Sequence, residues 1–453
     1  MSALKRVAVV GSGPSGVYTV QALLDQDPSA ALAVDVLDRL PCPYGLVRYG
    51  VAPDHEKIKS LQQNLRRVLE DPRVRFVGNV RVGDDSVSTE ELRELYQAVV
   101  YCVGAATDRR LGIPGEDLDG SCSATDFVSW YSGHPDARDG FPLAAPSVVV
   151  IGVGNVAVDV ARMLVRGAAE LHGTDMPQRP LEDLVHGGLR TVHVVGRRGP
   201  SQAKFTTREL RELGTLPGVR TLVREAELAR DPGYVRPEGL PGPVRRNLAA
   251  LGDWSRGGAA GSGRRIELRF FLRPVEILGS DTGTVRAVRF ERTEPDGRGG
   301  VRGTGSFEDI EARWVLRSVG YRGVPLPGLP FDASRGTVPH DGGRVLRDGR
   351  PSPGEYVAGW IKRGPTGVIG TNRPCAKETV AALLADADAL AARPVAEADP
   401  LARLSARGRA PVPWSGWLNV EAAEALLGGS LGRATAKIAD WDGLLAAARG
   451  AGR

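Results

Sequence analysis

The sequence predicts an α/β fold in which one chain carries two parallel-sheet modules, and three observations predict it. Arg6 to Val10 is a short apolar run that ends on Gly11-Ser12-Gly13-Pro14-Ser15-Gly16. A helical pattern follows, with Val17, Val20, Leu23 and Leu24 on one face. The β-branched run Ser147 to Ile151 meets Gly152-Val153-Gly154-Asn155 and a second helical pattern, Val156 to Val165. Each helix leads to another strand, Ala33 to Leu37 and Thr191 to Val195, so the strand, turn, helix, strand unit occurs twice.

The remaining elements come in chain order. Ile58 to Leu69 reads as a helix stopped near Asp71-Pro72, and Ala98 to Val103 as a buried strand ending at Gly104. The stretch 231–263, rich in Gly, Pro and Arg, reads as an excursion from the second module. Strands return at Arg265 to Phe271, Val285 to Arg289 and Trp314 to Val319, before a linker-like Gly323 to Gly328. Val357 to Trp360 resembles a further strand end, and Lys377 to Ala392 is an Ala-rich helix. The tail beyond Arg393 is helical in flavour and carries no functional signal.

Composition bounds the class. At ~150 residues per domain, a chain of 453 residues holds two to three domains. With 42% apolar and 25% charged residues, wholesale disorder and fibrous folds are excluded. A formal charge of +5 is mild; it suits a phosphate-bearing ligand or an acidic partner, and no run is dense enough for a nucleic-acid arm. Cys42, Cys102, Cys122 and Cys375 form no CxxC and no metal-ligand spacing, against a disulfide scaffold, a zinc ribbon and a dithiol redox centre, and no metal is expected. No apolar stretch reaches the ~18 residues of a membrane span, and the first strand leaves no room for a signal peptide, so the expected location is cytoplasmic.

With 58 glycines, a bare triple-glycine spacing says little; the strand before and the helix after supply the specificity. Such a turn brings a pyrophosphate against helix N-terminal amides, where unpaired N–H groups and the dipole favour negative charge. The residue at the end of the next strand separates the ligands. The second strand of the first module ends in Asp38, an acceptor for ribose hydroxyls, somewhat further from Gly11 than the usual ~20 residues. In the second module that place holds Arg197 and Arg198, whose guanidiniums bind a 2′-phosphate in forked, charge-assisted hydrogen bonds. Lys204 and Arg208 keep the neighbourhood positive, and Glu209 can accept from the adenosine ribose or orient the arginines. The pair is FAD or NAD first and NADP(H) second; with no dithiol, a chain holding FAD and NADPH must pass electrons to oxygen, an organic substrate or an external carrier.

Longer strings then carry a resemblance. Pro41 through Arg48 (PCPYGLVR) with Val51 to His55, Gly154 to Asp159 (GNVAVD), Val195 to Pro200 (VGRRGP), Phe205 to Thr207, Arg317 to Tyr321 and Gly359 to Asn372 (GWIKRGPTGVIGTN) resemble ferredoxin–NADP reductases of the adrenodoxin-reductase type. The resemblance runs in order from the first strand to about residue 385. It implies two Rossmann-like domains, with an NADP domain at 108–330 inserted in a discontinuous FAD domain of residues 1–107 and 331–453. By position, Gly11, Gly13, Ser15, Asp38, Leu46, Val82, Trp360, Gly367, Val368 and Ile369 match FAD contacts. Gly154, Asn155, Val156, Ala157, Arg197, Arg198, Glu209 and Gly367 match NADP contacts, with Arg109 a further candidate, and His55 and Asp159 lie near the redox centre in the family.

Some of this chemistry is arguable directly. Thr366 to Ile369, before a helical run, offers backbone N–H groups to flavin carbonyls, where reduction builds negative charge. Gly367 leaves room for nicotinamide against the isoalloxazine, and Trp360 offers a flat face to cover the ring. Hydride transfer needs distance and orientation more than acid–base groups, so His55 and Asp159 are read as positioning water or handling protons. The sequence departs from the family's pattern at Asp38, where many members carry Glu, and at Val153 and Gly16. Arg245 and Arg246 are placed to form a basic docking face for an acidic ferredoxin. The expected activity is electron transfer from NADPH through FAD to a ferredoxin that supplies a cytochrome P450 or another oxygenase. A single-component flavin monooxygenase and a non-catalytic NADP-binding module are the alternatives.

Overall fold

The computed structural model describes residues 4–26, 32–83, 87–257, 263–396, 399–405 and 410–450. The chain divides into two compact units: Met1–Thr107 with Ser132–Asp136 and Tyr321–Arg453, and Asp108–Tyr131 with Ala137–Gly320. The chain thus re-enters the first unit at Tyr321, where the sequence places the return at 331.

The first unit is built on an eight-stranded sheet in the order His340–Asp341, Arg344–Arg347, Arg350–Val357, Ala98–Tyr101, Arg6–Val10, Ala33–Leu37, Val74–Gly78, Val412–Pro413. The five strands from Arg350–Val357 to Val74–Gly78 run parallel, and the outer ones antiparallel. Near-continuous apolar runs are what a sheet covered on both faces requires. Alternation assigns the faces: Val7, Val9, Val34, Val36 and Val100 join one core with Val17, Val20 and Leu23 of helix Pro14–Gln26 and Ala376, Val380 and Leu383 of helix Asn372–Ala385. Ala8, Val10, Leu37, Val99 and Tyr101 face a second core with Leu92 and Leu95.

The second unit holds a six-stranded, fully parallel sheet, ordered Ser121–Ser123, Trp314–Arg317, Ser147–Ile151, Thr191–Val195, Arg264–Arg269, Val219–Val223. Val148, Val150, Val192 and Val194 point to the helices, whereas Val149, Ile151, Val195 and Val315 pack on an antiparallel sheet of Leu272–Gly279, Val285–Pro295 and Val301–Glu311 through Leu272, Ile277, Val288 and Phe290. In both units the strand before the glycine turn lies where the sheet order reverses, the place where open α/β sheets bind ligands.

Several expectations need correction. The helix expected over Ile58 to Leu69 is two, Glu56–Lys59 and Leu61–Leu69, broken at Ser60. The helix expected from Lys377 begins at Asn372 and divides at Asp386. The excursion 231–263 contains the helix Gly242–Arg256, while its residues 258–262 lie outside the described ones. The tail is not uninformative: Val412, Trp417, Val420, Leu444 and Ala448 complete the first unit's core. Among the described residues no helix is long and apolar enough to cross a membrane.

Candidate functional site

In the first unit, Gly11 adopts φ +106°, and its N–H donates to the Leu37 carbonyl at 2.7 Å. A Cβ there would lie 2.6 Å from the Cys102 carbonyl oxygen, and one at Gly16 would lie 1.8 Å from the Gly11 oxygen. The helix therefore starts hard against the strand, with Pro14 as its first residue, where a missing N–H costs nothing. Ser15 is buried beside Gly359, which has φ +80°; a Cβ at 359 would come within 2.1 Å of the Ser15 Oγ. Gly13 lies against Gly45, and the Tyr44 N–H donates to the Ser12 carbonyl at 3.1 Å, so the loop carrying Leu46 is laid over the turn. Leu46 itself is exposed at the start of helix Leu46–Tyr49. Together these bare backbone stretches form a cradle that a side chain would fill, which fits a pyrophosphate on a helix N-terminus.

Asp38 stands at the end of Ala33–Leu37 and is tied down. Its Oδ2 accepts from the Ser12 N–H at 2.8 Å and, in a short contact, from the Ser12 hydroxyl, while its Oδ1 accepts from the Leu40 N–H at 2.9 Å. Burial pushes its carboxyl above the ordinary range, against the opposing pull of these hydrogen bonds. Val82 is buried and bridges to Val87. Trp360 is half-buried, its ring 5.2 Å from that of Tyr321 at 39°, and its Nε1 has no hydrogen-bond partner among the described residues.

The Gly367 loop is shaped by residues that its sequence pattern did not single out. Arg363 donates to the Thr366 carbonyl at 2.5 Å and to the Asn372 Oδ1 at 2.9 Å, and the Asn372 amide donates to the Ile369 carbonyl at 3.0 Å. Gly367 (φ +81°) and Val368 are left exposed, and Ile369 opens a short turn into helix Asn372–Ala385. An Arg beside a Gly-Pro-Thr-Gly turn was the available signal. His55 is buried at the start of helix Glu56–Lys59.

In the second unit Gly152 has φ +135°, and a Cβ there would lie 2.1 Å from the Ser318 oxygen. Gly154, in contrast, faces open space and caps helix Asn155–Val165. Asn155 Oδ1 accepts from the Thr206 N–H at 2.8 Å, tying the turn to the 203–206 loop. Val156 is half-buried and Ala157 fully buried, so Ala157 meets a ligand only through its backbone. Arg197 is exposed and Arg198 half-buried; among the described residues neither pairs with a carboxylate. Lys204 is exposed, while Arg208 lies 3.4 Å from Glu212. These two guanidiniums, with no carboxylate partner among the described residues, fit a dianionic phosphate.

Asp159 and Glu209 converge on one buried cation. Arg162, fully buried, lies 2.7 Å from Asp159, 3.6 Å from Glu209 and 3.4 Å from Glu212. A buried charge of this kind needs such partners, so both acids support the helix. Arg109 is exposed, its N–H donating to the Gly320 carbonyl at 2.9 Å. Arg245 and Arg246 lie exposed on helix Gly242–Arg256. All four cysteines are buried and free, with burial pushing the thiols of Cys42 and Cys102 up to about 11 and about 12.

Residues 5–199 match the family described as pyridine nucleotide-disulphide oxidoreductase. The chain is 48% identical over 387 residues to NADPH-ferredoxin reductase FprA of Mycobacterium tuberculosis, covering 83% of each, and 39% identical over 462 residues to the mitochondrial NADPH:adrenodoxin oxidoreductase of Arabidopsis thaliana, covering 98% of this chain and 95% of the relative. A solved structure of M. tuberculosis FprA in complex with NADPH superposes with a TM-score of 0.92 at 43% identity, covering 99% of this chain and 100% of the other. The chain belongs to the NADPH–ferredoxin reductases of the adrenodoxin-reductase type.

Proposed function

We propose that this chain holds FAD in its first unit and NADPH in its second, and passes electrons from NADPH to a ferredoxin-type iron–sulfur protein in the cytoplasm, with a cytochrome P450 or another oxygenase downstream. The observation that carries the reading is the pairing of two glycine turns of one kind with opposite charges after them: Asp38 in one unit, Arg197 and Arg198 in the other. Bound flavin supplies the conversion between a hydride, taken as an electron pair, and electrons released singly.

The chain's own residues bind and orient. Ser15 and the amides after Gly11 receive the FAD pyrophosphate, Asp38 the ribose, and the loop held by Arg363, whose Thr366 and Val368 N–H groups are taken by the Gly364 carbonyl and the Thr371 hydroxyl, presents Gly367 and Ile369 to the flavin carbonyls. Gly154 to Ala157 receive the NADPH pyrophosphate, and Arg197 and Arg198 the 2′-phosphate. Asp159 and Glu209 fix the helix through Arg162, and His55 is a positioning residue. The basic pair Arg245 and Arg246 faces an acidic carrier.

Stopped-flow mixing of the NADPH-reduced protein with an acidic iron–sulfur protein tests the carrier. Reduction of the carrier far faster than by free reduced flavin, weakening with salt, is expected. No acceleration over free flavin, together with oxygen uptake stimulated by a small organic substrate, would place the chain among the monooxygenases.

A further inference from the structure

The turn that presents Arg197 and Arg198 is gripped from behind by segments outside the nucleotide-binding strands. The Thr293 hydroxyl, fully buried, donates to the Arg197 carbonyl at 2.8 Å. The Phe271 N–H donates to the Arg198 carbonyl at 3.2 Å, and the Leu272 N–H to the Gly196 carbonyl at 3.1 Å. Phe271 sits at φ +58°, a conformation that bulky L-residues rarely adopt, and its own carbonyl accepts from the Thr293 N–H at 2.8 Å. Beyond the arginines, the buried Asp231 carboxylate accepts from the Ser201 N–H at 2.7 Å, the Ser201 hydroxyl at 2.8 Å and the Gly233 N–H at 2.8 Å. A Cβ on Gly199 would lie 2.5 Å from Asp231 Oδ2 and 2.7 Å from the Phe271 ring, so the turn is pressed flat against both.

We infer that Thr293, Phe271 and Asp231 are specificity-determining positioning residues that hold the Arg197–Arg198 turn in a fixed shape; this rests on the reading of those arginines as the 2′-phosphate site. Long Arg side chains lose much rotamer freedom on binding, and a fixed backbone limits that cost to the side chains themselves. Among the described residues, no hydrogen bond links Thr293, Phe271 or Asp231 to the pyrophosphate turn at Gly152 to Gly154. Loss of this bracket therefore weakens the grip on the 2′-phosphate and leaves the rest of the nucleotide alone. It also gives the excursion around 231 and the antiparallel sheet a part in choosing the cofactor.

Calorimetric titration of the FAD-loaded protein with 2′,5′-ADP and, separately, 5′-ADP tests this. Thr293→Val is expected to weaken 2′,5′-ADP by about 5- to 10-fold, the worth of one hydrogen bond, and to change 5′-ADP by less than about 2-fold. Thr293→Ser, which keeps the hydroxyl, restores the wild-type preference, and Asp231→Asn behaves as Thr293→Val. Unchanged 2′,5′-ADP binding in Thr293→Val, or equal loss of both ligands, overturns the inference; if Asp231→Asn does not fold, the Thr293 pair decides. The double variant Arg197→Ala/Arg198→Ala separates the two layers. Lost discrimination there with none lost in Thr293→Val refutes the bracket alone, whereas retained discrimination in the double variant refutes the 2′-phosphate reading beneath it.

Discussion

In the first unit the glycine turn is enclosed: Gly13 lies against Gly45, a Cβ at Gly16 would collide with the Gly11 oxygen, and the loop carrying Leu46 lies over the turn. In the second unit Gly152 is packed as tightly, a Cβ there lying 2.1 Å from the Ser318 oxygen, and the Lys204 N–H donates to the Val153 carbonyl at 2.8 Å; the opening is at Gly154, where nothing described lies within 4 Å of a Cβ. The chain path is the same, a parallel strand, a positive-φ glycine and a helix N-terminus. Two things therefore decide what each turn does. On the proposed reading, the residue after the next strand selects the nucleotide, and the cover over the turn sets how readily it exchanges. A covered site suits a resident group and an open one suits a substrate that must leave after each turnover.

The cover itself is braced by the tail. Arg48, in the helix that begins at Leu46, pairs with Glu424 at 2.6 and 3.0 Å, and both side chains are 5% exposed. Removing Glu424 alone leaves a buried cation, so Glu424→Leu is expected to destabilise the first unit by about 3–5 kcal/mol, while Arg48→Met/Glu424→Leu recovers most of that. Thermal melts followed by release of flavin fluorescence read this, and the open second site should keep its 2′,5′-ADP affinity.

The next contrast lies in the charges. Arg197→Ala/Arg198→Ala removes charge-assisted hydrogen bonds worth about 1.5–3 kcal/mol each, so KM for NADPH is expected to rise on the order of 100-fold or more. KM for NADH should stay within about 3-fold in steady-state assays.

Glycine exchange sharpens the enclosed-versus-open distinction further. Gly16→Ala forces a clash with backbone and is expected to cost about 1–3 kcal/mol and to weaken FAD retention. Gly154→Ala, at a helix N-cap in open space, costs under about 1 kcal/mol and is read instead as a higher KM for NADPH.

A last effect concerns acid. His134 packs on the Tyr49 ring, 5.0 Å between centroids, and burial lowers its pKa to about 4 from an ordinary 6.5. The unfolded chain then binds the proton that the folded one refuses. This contribution to stability is intact above about pH 6.5 and is lost as pH falls toward 4, with a slope of up to ~1.4 kcal/mol per pH unit. His134→Gln should flatten that limb of the melting profile, and the second unit's ligand affinity should not change with it.

Sequence legibility divides along the same lines. The central strands, both glycine turns, Asp38 and the arginine pair were readable because each rests on local pattern: β-branched runs, turn glycines and a charge at a strand end. Val301–Glu311 was not among the strands the sequence showed, since glycines and charges break its alternation; as a strand it pairs with Val285–Pro295, and Arg289 with Asp309 and Arg292 with Glu308 match those charges across the ladder. Helix Gly242–Arg256 was hidden by the Gly-Pro at its start. The tail's part in the core rests on Trp417 and Val420, and on an ion pair closing across 376 positions of sequence, which no local window contains. Within the candidate site, the anchoring of Asp38 by Ser12 and of the arginine turn by Thr293 and Asp231 is likewise long-range.

The central claim, a covered flavin site and an open NADPH site in one chain, is tested most directly by anaerobic titration of the purified protein with NADPH and, in parallel, NADH, monitored by flavin absorbance. A yellow protein bleached promptly by NADPH and far more slowly by NADH at equal concentration is the expected result. A colourless protein that takes up no FAD, or equal bleaching by the two nucleotides, would contradict it.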